Sequence, residues 1–295
     1  MRFTSEAISI NGTAVGGTGT VDISPGIVPA PILTDGGVDP EMISALRADN
    51  RAMFTIHDIE TMLGIGFIGG VALNGTTGLT AYARPITAGS TRAAAGSVKI
   101  LMASGMVVNR SLTASVGEYA TLTCEGIGTS ASAATAPIQV SSASDALLAP
   151  TKTQLFTLGP VSINSSTVTG LQSWGLQFGI AETVEAGAGS PYSDFVGIAG
   201  RMPVFTFTST NSALLTTYGA SPVAVTALTF YLRAAKAGGT VETDATSAHG
   251  KFTVSKGLLH LTSVGGAGMA VQGTILPYYA AGANIIIYTP NSAIT

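Results

Sequence analysis

Charge is what this sequence has least of. Only 10% of its 295 residues are Asp, Glu, Lys or Arg, against roughly 25% in a typical globular chain. A folded monomer of this mass has a surface of roughly 11,600 Å², which leaves about 400 Å² for each formal charge. Soluble monomers stay apart by mixing charge over their outsides, so this scarcity points to a surface covered in large part by other copies or by lipid. The 13 Lys and Arg are unclustered and outnumbered by 16 acids. That excludes a basic nucleic-acid reader, whose affinity rests on neutralising phosphates. A disordered chain is excluded as well, because disorder needs low hydrophobicity and high net charge, whereas this chain has net charge −3 and is 46% hydrophobic.

Cysteine and long apolar runs are also missing. The lone Cys124 excludes an internal disulfide framework and a Cys-rich zinc site, and reads as a small buried residue. The opening Met1 to Glu6 has one basic residue and no apolar stretch behind it, so no secretory signal is expected. Met62 to Leu73, the longest near-apolar run, contains four glycines and falls short of the roughly 20 residues that a membrane-spanning helix needs. The strands of an outer-membrane barrel would fit the low charge, but aromatics are only 6% and form no evident girdles.

Three stretches organise the chain. Residues 1–38 are rich in Gly, Thr and Pro, with GGTGT at 16–20, and read as an extended N-terminal arm. Residues 39–96 are expected to hold short helices: Asp39 and Pro40 suit a helix start ahead of Met42, Ile43 and Leu46, and Ile56, Ile59 and Met62 recur at helical spacing over 55–63. This N-terminal third, up to residue 97, has eight acids against five bases, and the remainder is balanced. From residue 97 to 295 the period is two. Ala120, Leu122 and Cys124 alternate with Tyr119, Thr121 and Thr123. The clearest strand sets Trp174, Leu176, Phe178 and Ile180 against Ser173, Gly175, Gln177 and Gly179, apolar on one face and small and polar on the other. Phe205 and Phe207 against Thr206 and Thr208 repeat the pattern, and Asn211 to Tyr218, closed by Gly219, reads as a short helix. The expected fold is mainly β, an antiparallel β-sandwich with one or two short helices.

No enzyme emerges. Gly64-Ile65-Gly66-Phe67-Ile68-Gly69 is a literal G-x-G-x-x-G, but the residues before it look helical and no acid follows at the spacing a ribose needs. His57 and Glu60 share a helix face without a third metal ligand, and His260 sits in an apolar strand. No catalytic residue, cofactor or metal is expected.

The order of pieces from Phe156 to Leu215, FTLGPVSINSSTVTGLQSWGLQFGIAETVEAGAGSPYSDFVGIAGRMPVFTFTSTNSALL, resembles the tail tube proteins of long-tailed bacteriophages, which are related to the inner tubes of contractile injection machines. The stretch HGKFTVSKGLLHLTSVGGAGMAVQGTILPYY is similar to the closing strands of such subunits. The resemblance implies a hexameric ring of sandwiches that contribute strands to a ring-wide β-barrel, stacked into a hollow tube whose lumen conducts DNA. It also implies a place in the virion tail, assembly in the host cytoplasm, and contacts with tape-measure, terminator or baseplate proteins, without stable membrane insertion. On this reading Ser173 and Gln177 line the lumen, with Glu182 and Glu185 near its edge. The loop from Glu182 to Pro191, with Ala186, Gly187 and Gly189, would clamp the adjacent ring. Another virion protein, such as a capsid decoration or minor tail protein, shares the composition, and so does an outer-membrane or cell-surface β-protein.

Overall fold

Alternating apolar and small polar residues make strands that bury one face only, and such strands dominate the chain. The computed structural model describes residues 2–16, 18–24, 26–32, 42–86, 97–143, 154–186, 189–219, 222–236, 239–265, 270–278 and 284–295. The first strands are β1 (Arg2–Ile10), β2 (Thr13–Val15), β3 (Thr18–Ser24), β4 (Ile27–Ile32), β5 (Met42–Ala48) and β6 (Arg51–Ile56), followed by helix α1 (Ile59–Gly66). Then come β7 (Val71–Ala72), β8 (Leu79–Ile86), β9 (Ser97–Met102), β10 (Gly105–Ser115), β11 (Thr121–Gly128) and β12 (Ile138–Ala143). The middle holds β13 (Phe156–Ile163), β14 (Ser166–Thr167), β15 (Leu171–Gln177), β16 (Ile180–Ala186), β17 (Ser193–Arg201), β18 (Val204–Ser209) and α2 (Ala213–Tyr218). The chain closes with β19 (Val223–Val225), β20 (Leu228–Ala234), β21 (His249–Val254), β22 (Gly257–Gly265), β23 (Ala270–Pro277) and β24 (Ile287–Ser292).

Three sheets build the body. A ten-stranded sheet runs β19-β22-β23-β18-β15-β10-β11-β6-β3, with β7 added beside β10. Its inner face is covered at one side by the sheet β12-β9-β8-β1-β2 and at the other by β14-β13-β20-β21-β24. Under the first cover, Ile8, Ala81, Ile100 and Met102 meet Val21, Ala52 and Phe54 around a void of only about 10 Å³. Under the second lies an aromatic stack: Trp174 to Phe230 at 5.1 Å between ring centres, Phe205 to Phe230 at 4.5 Å and Phe230 to Phe252 at 4.7 Å. Each such pair contributes roughly 0.5–1.5 kcal/mol beyond its buried area.

The fold is thus mainly β with antiparallel pairing and two short helices among the described residues, as the period-two pattern implies. Trp174, Leu176, Phe178 and Ile180 are all buried.

The N-terminal third differs from the expectation. The described residues within 1–38 are built into the sheets instead of standing off as an extended arm: β1 pairs with β8 along its length, β3 pairs with β6, and Ile8, Ile10 and Val15 are in the core. Glycine there marks close packing instead of looseness, since a Cβ on Gly19 would meet Thr55 Oγ1 at 2.6 Å. Met42, Ile43 and Leu46 belong to strand β5, paired with β4, and not to a helix; Asp39 and Pro40 lie outside the described residues. A partner strand overrides the helical spacing. No boundary falls at residue 97 either, because β8 pairs with β9 and β6 with β11 across it.

The helix expected over 55–63 begins later, at Ile59, because Ile56 ends β6 and Asp58 takes the capping position. Asp58 Oδ1 accepts from the Thr61 N–H at 3.4 Å and Oδ2 from the Gly16 N–H at 3.0 Å, tying helix start to N-terminal segment. Asp58→Ala is therefore expected to lower stability by about 1–2 kcal/mol, and Asp58→Asn by less. Urea titration followed by circular dichroism checks both; equal losses from the two variants would remove the capping explanation.

Candidate functional site: the bare face of the large sheet

Away from the end where β16 and β17 pair as a two-stranded sheet, the outer face of the ten-stranded sheet has no covering sheet among the described residues, and strand register decides what it displays. Along one row Thr55, Thr123, Ser111 and Gln177 stand side by side on β6, β11, β10 and β15. The next row is Thr121, Thr113, Gly175, Thr206, Thr274 and His260, running on through β18 and β23 to β22. A third row is Ser115, Ser173, Thr208 and Gln272. Neighbours in a row are about 4.8 Å apart and successive rows about 6.7 Å, so at these positions the face is a grid of uncharged, mostly polar side chains; beyond Gln177 the first row turns apolar, at Val204 on β18 and at the partly exposed pair Leu276 and Leu258 on β23 and β22. None of these residues is Asp, Glu, Lys or Arg.

Most of the side chains of the grid are Ser or Thr. Gly175 sits at its middle, where a Cβ would come within 3.2 Å of Thr206 Oγ1; the bare backbone instead accepts a bond from that hydroxyl at 3.4 Å. Ser173 and Gln177, expected on a polar face opposite Trp174, both lie here, half-buried and exposed respectively. Thr55, Thr113, Thr274 and Gln272 belong to the same face and were not singled out from sequence. Their signal is Thr, Ser or Gln at alternate positions of each strand, visible strand by strand but not as a shared surface.

Charge is concentrated at one end of this face. Arg51 Nη1 donates to Glu125 Oε1 at 2.7 Å and to Glu182 Oε1 at 2.8 Å. Arg110 donates from Nε to Glu125 Oε2, from Nη2 to Glu182 Oε1 at 2.9 Å and from Nη1 to the Ile180 carbonyl at 2.8 Å. Asp49 completes the cluster by accepting from Arg51 Nε at 3.0 Å. The Glu125 side chain is 8% exposed and that of Glu182 15%. Burial alone would raise the Glu182 pKa, but hydrogen bonds from Arg110 and Arg51 outweigh it and hold the carboxyl at about 2. Burial likewise opposes the charge on Arg51 and Arg110, and the two glutamates more than compensate.

Glu182, expected near the edge of a lumen, stands at one end of this face with its carboxylate held by two arginines. The strand breaks at Phe178–Gly179, where Gly179 has φ +59° and a Cβ would strike the Met202 carbonyl at 1.9 Å. From Gln177 the chain leaves the sheet, and β7 takes the next stretch of β10 edge. The expected loop from Glu182 to Pro191 is mostly a β-hairpin, β16 paired with β17, docked across the sheet end. Its tip is held where the Ala48 N–H donates to the Pro191 carbonyl and the Ser130 N–H to the Ser193 carbonyl, each at 2.7 Å. Glu185 and Ala186 are exposed on β16, Gly189 turns with φ +77°, and Gly187 lies outside the described residues.

Gly64 and Gly66 are inside the C-terminal half of α1, the end of a helix that repels phosphate. His57 Nδ1 bonds the Ala120 carbonyl at 2.9 Å. Among the described residues no group of three or more His, Cys, Asp or Glu could hold a metal, and no helix is long and apolar enough to cross a membrane. Cys124 is buried, and burial pushes its thiol pKa upward. No protein-family model and no curated protein matches the chain, so the bare hydroxyl grid, backed by an aromatic core and bordered by one ion cluster, is the surface from which a function has to be read.

Proposed function

We propose that this chain is a structural virion protein: a phage tail tube subunit that forms stacked, hexameric rings whose lumen conducts DNA during ejection. The observation that carries this reading is the uncharged hydroxyl grid across the outer face of the large sheet. A conduit for DNA needs a wall without fixed cations, because each Lys or Arg facing the duplex adds a phosphate contact that holds it back. Short Ser, Thr and Gln side chains keep such a wall wet and even, and the apolar opposite face packs outward against the covering sheets. Sparse charge over the whole chain suits a subunit with neighbours at its sides and rings above and below. On this reading the protein resides in the virion tail after assembly in the host cytoplasm. Its partners are its own copies, a tape-measure protein inside and terminator or baseplate proteins at the tube ends.

Two measurements test the reading. Electron microscopy of the purified full chain is expected to show rings stacked around a central channel lined by Thr113, Thr206 and Thr274; closed shells, or a grid turned to the outside, would refute it. Thr113→Lys with Thr206→Lys is expected to leave ring formation intact while conferring DNA retention that is absent from the natural protein. That retention falls steeply between 50 and about 200 mM salt, as phosphate contacts do. Retention equal to that of the unsubstituted tube would mean that the grid does not face the channel.

A further inference from the structure

Asparagine followed by glycine is among the least durable pairs in a chain, because glycine sets no side chain in the way when its own backbone nitrogen attacks the asparagine amide. The sequence has two such pairs, Asn11-Gly12 and Asn74-Gly75, each preceded by a large aliphatic residue, Ile10 and Leu73. Local chemistry is therefore alike at both. The fold treats them differently.

Asn11 is held at each group the reaction uses. Its Nδ2 donates to the Ala72 carbonyl at 2.8 Å, and its Oδ1 accepts from the Asn74 N–H at 2.8 Å. The Gly12 N–H, the nitrogen that would attack, donates to the Thr77 carbonyl at 3.2 Å, and the Asn11 N–H donates to the Gly78 carbonyl at 3.0 Å. The three Asn-Ser pairs are held as well: Asn164 by Thr226, Ala227 and Ala224, Asn211 by Ala213 and Thr169, and Asn291 by Glu60. Asn74 is the contrast. It is exposed, and among the described residues neither its side-chain amide nor the Gly75 N–H has a hydrogen-bond partner. A Cβ placed on Gly75 would meet no atom within 4 Å, so nothing crowds the turn. At ψ +90° the Asn74 backbone has to rotate before the Gly75 nitrogen reaches Cγ. What resists that rotation is a single 3₁₀ turn, closed on the Asn74 carbonyl by the Thr77 N–H at 3.2 Å and Oγ1 at 3.1 Å.

We propose that Asn74-Gly75 is a site of self-modification, where the folded protein exchanges the Asn74 amide for an acid, and that this change opens the shield over Asn11-Gly12. The Gly75 nitrogen gives its proton to hydroxide and bonds to Asn74 Cγ. The Cγ–Nδ2 bond breaks, and Nδ2 leaves as ammonia with a proton taken from water. A five-membered imide remains, and water adds to one of its two carbonyls. Addition at Cγ restores the backbone and leaves aspartate; addition at the backbone carbonyl leaves isoaspartate, with one further carbon in the main chain. Either product adds a negative charge to a chain whose formal net charge is only −3. Isoaspartate also takes the Asn74 carbonyl out of the main chain, so the turn loses the acceptor that closes it. The Thr77 and Gly78 carbonyls of that turn are the ones that hold Gly12 and Asn11. Asn11 thereby becomes the second site, reached only after the first. This chemistry is independent of the tube reading.

The test incubates the full chain at mildly alkaline pH, folded and in parallel unfolded in urea. Peptide mapping by mass spectrometry with an isoaspartate assay follows each asparagine, and ion exchange sorts intact chains by the number of charges gained. Unfolded, the two Asn-Gly pairs are expected to convert at similar rates. Folded, Asn74 is expected to convert at least about tenfold faster than Asn11, with no fraction converted at Asn11 alone. Asn74→Gln, whose longer side chain closes a ring far more slowly, is expected to keep the amide at both positions, its folding verified by circular dichroism. A folded Asn74 that stays an amide while the unfolded chain converts both pairs overturns the proposal. So do equal rates at Asn11 and Asn74 in the folded natural protein, a measurement that needs no variant, and an Asn11 that converts as readily in Asn74→Gln as in the natural chain.

Discussion

Trp174→Ala is expected to destabilise the subunit by about 3–5 kcal/mol, the range for truncating a fully buried aromatic. At the size of this chain that corresponds to a fall in melting temperature of about 10 °C. The indole is 2% exposed and touches Phe205, Phe230 and Phe252 at ring distances of 6.1, 5.1 and 6.2 Å. It thereby joins the large sheet to the sheet that covers it. Trp174→Phe separates shape from polarity. The indole Nε1 is buried without a hydrogen-bond partner, so losing it removes an unmet donor along with some volume, and the expected loss is under about 1.5 kcal/mol. Thermal melts read by circular dichroism compare the two. A Phe variant as unstable as the Ala variant would show that the aromatic stack is not what holds the sheets together.

Arg110→Ala is the second substitution with a large expected effect. It strips one of two cations from Glu125 and Glu182, leaving carboxylates that are 8% and 15% exposed with only Arg51 between them. Removing one partner from a largely buried ion cluster costs about 3–5 kcal/mol, more than the pair contributes over an apolar replacement. The loss is expected to fall first on the β16–β17 hairpin, since two strands alone are marginally stable and Glu182 is its anchor on the large sheet. Limited proteolysis near Pro191 should therefore precede global unfolding in this variant. The same anchor sets an acid limit. Glu182 titrates at about 2 in the folded protein, below its ordinary value of 4.5. Its contribution is therefore complete above pH 4.5 and is lost as pH falls toward 2. Hairpin cleavage that rises over that interval in the natural protein, and is flat with pH in Glu182→Gln, is the expected result. A Glu182→Gln variant with the same acid profile would assign the effect elsewhere.

The sequence made legible what is repeated locally. Trp174, Leu176, Phe178 and Ile180 could be read as core because one-sided burial writes a period of two into the chain, and the same holds for Phe205 and Phe207. The stop at Gly219, where φ is +63°, is local chemistry and equally visible, whereas the cap at Asp58 was hidden by helical spacing that carries the expected helix back to residue 55. What depends on pairing at long range was not. Residues 2–10 gain their strand from β8, some 70 to 84 residues later, and nothing in the run RFTSEAISI announces that partner. Glu182 meets Arg51 and Arg110 across 131 and 72 positions, and no local pattern announces either partner. Ser173 and Gln177 were legible as a polar face, but the grid they belong to exists only once seven strands are in register.

The order of strands in the large sheet bears on how the chain is made. From one edge to the other the sheet reads β3, β6, β11, β10, β15, β18, β23, β22, β19, nearly the order of synthesis from the N-terminus. Most of the sheet can therefore grow while the chain is still being translated, although β10 waits for β11 to join it to β6, and β19 and β22 wait for β23. Until β23, β22 and the three-residue β19 emerge, that edge stays open, with the Phe205 and Phe207 side chains on its apolar face uncovered. Such an edge is a template for another nascent chain. The interval between synthesis of β18 and synthesis of β23 is thus when this protein is most exposed to aggregation, and slower translation there would lengthen the hazard.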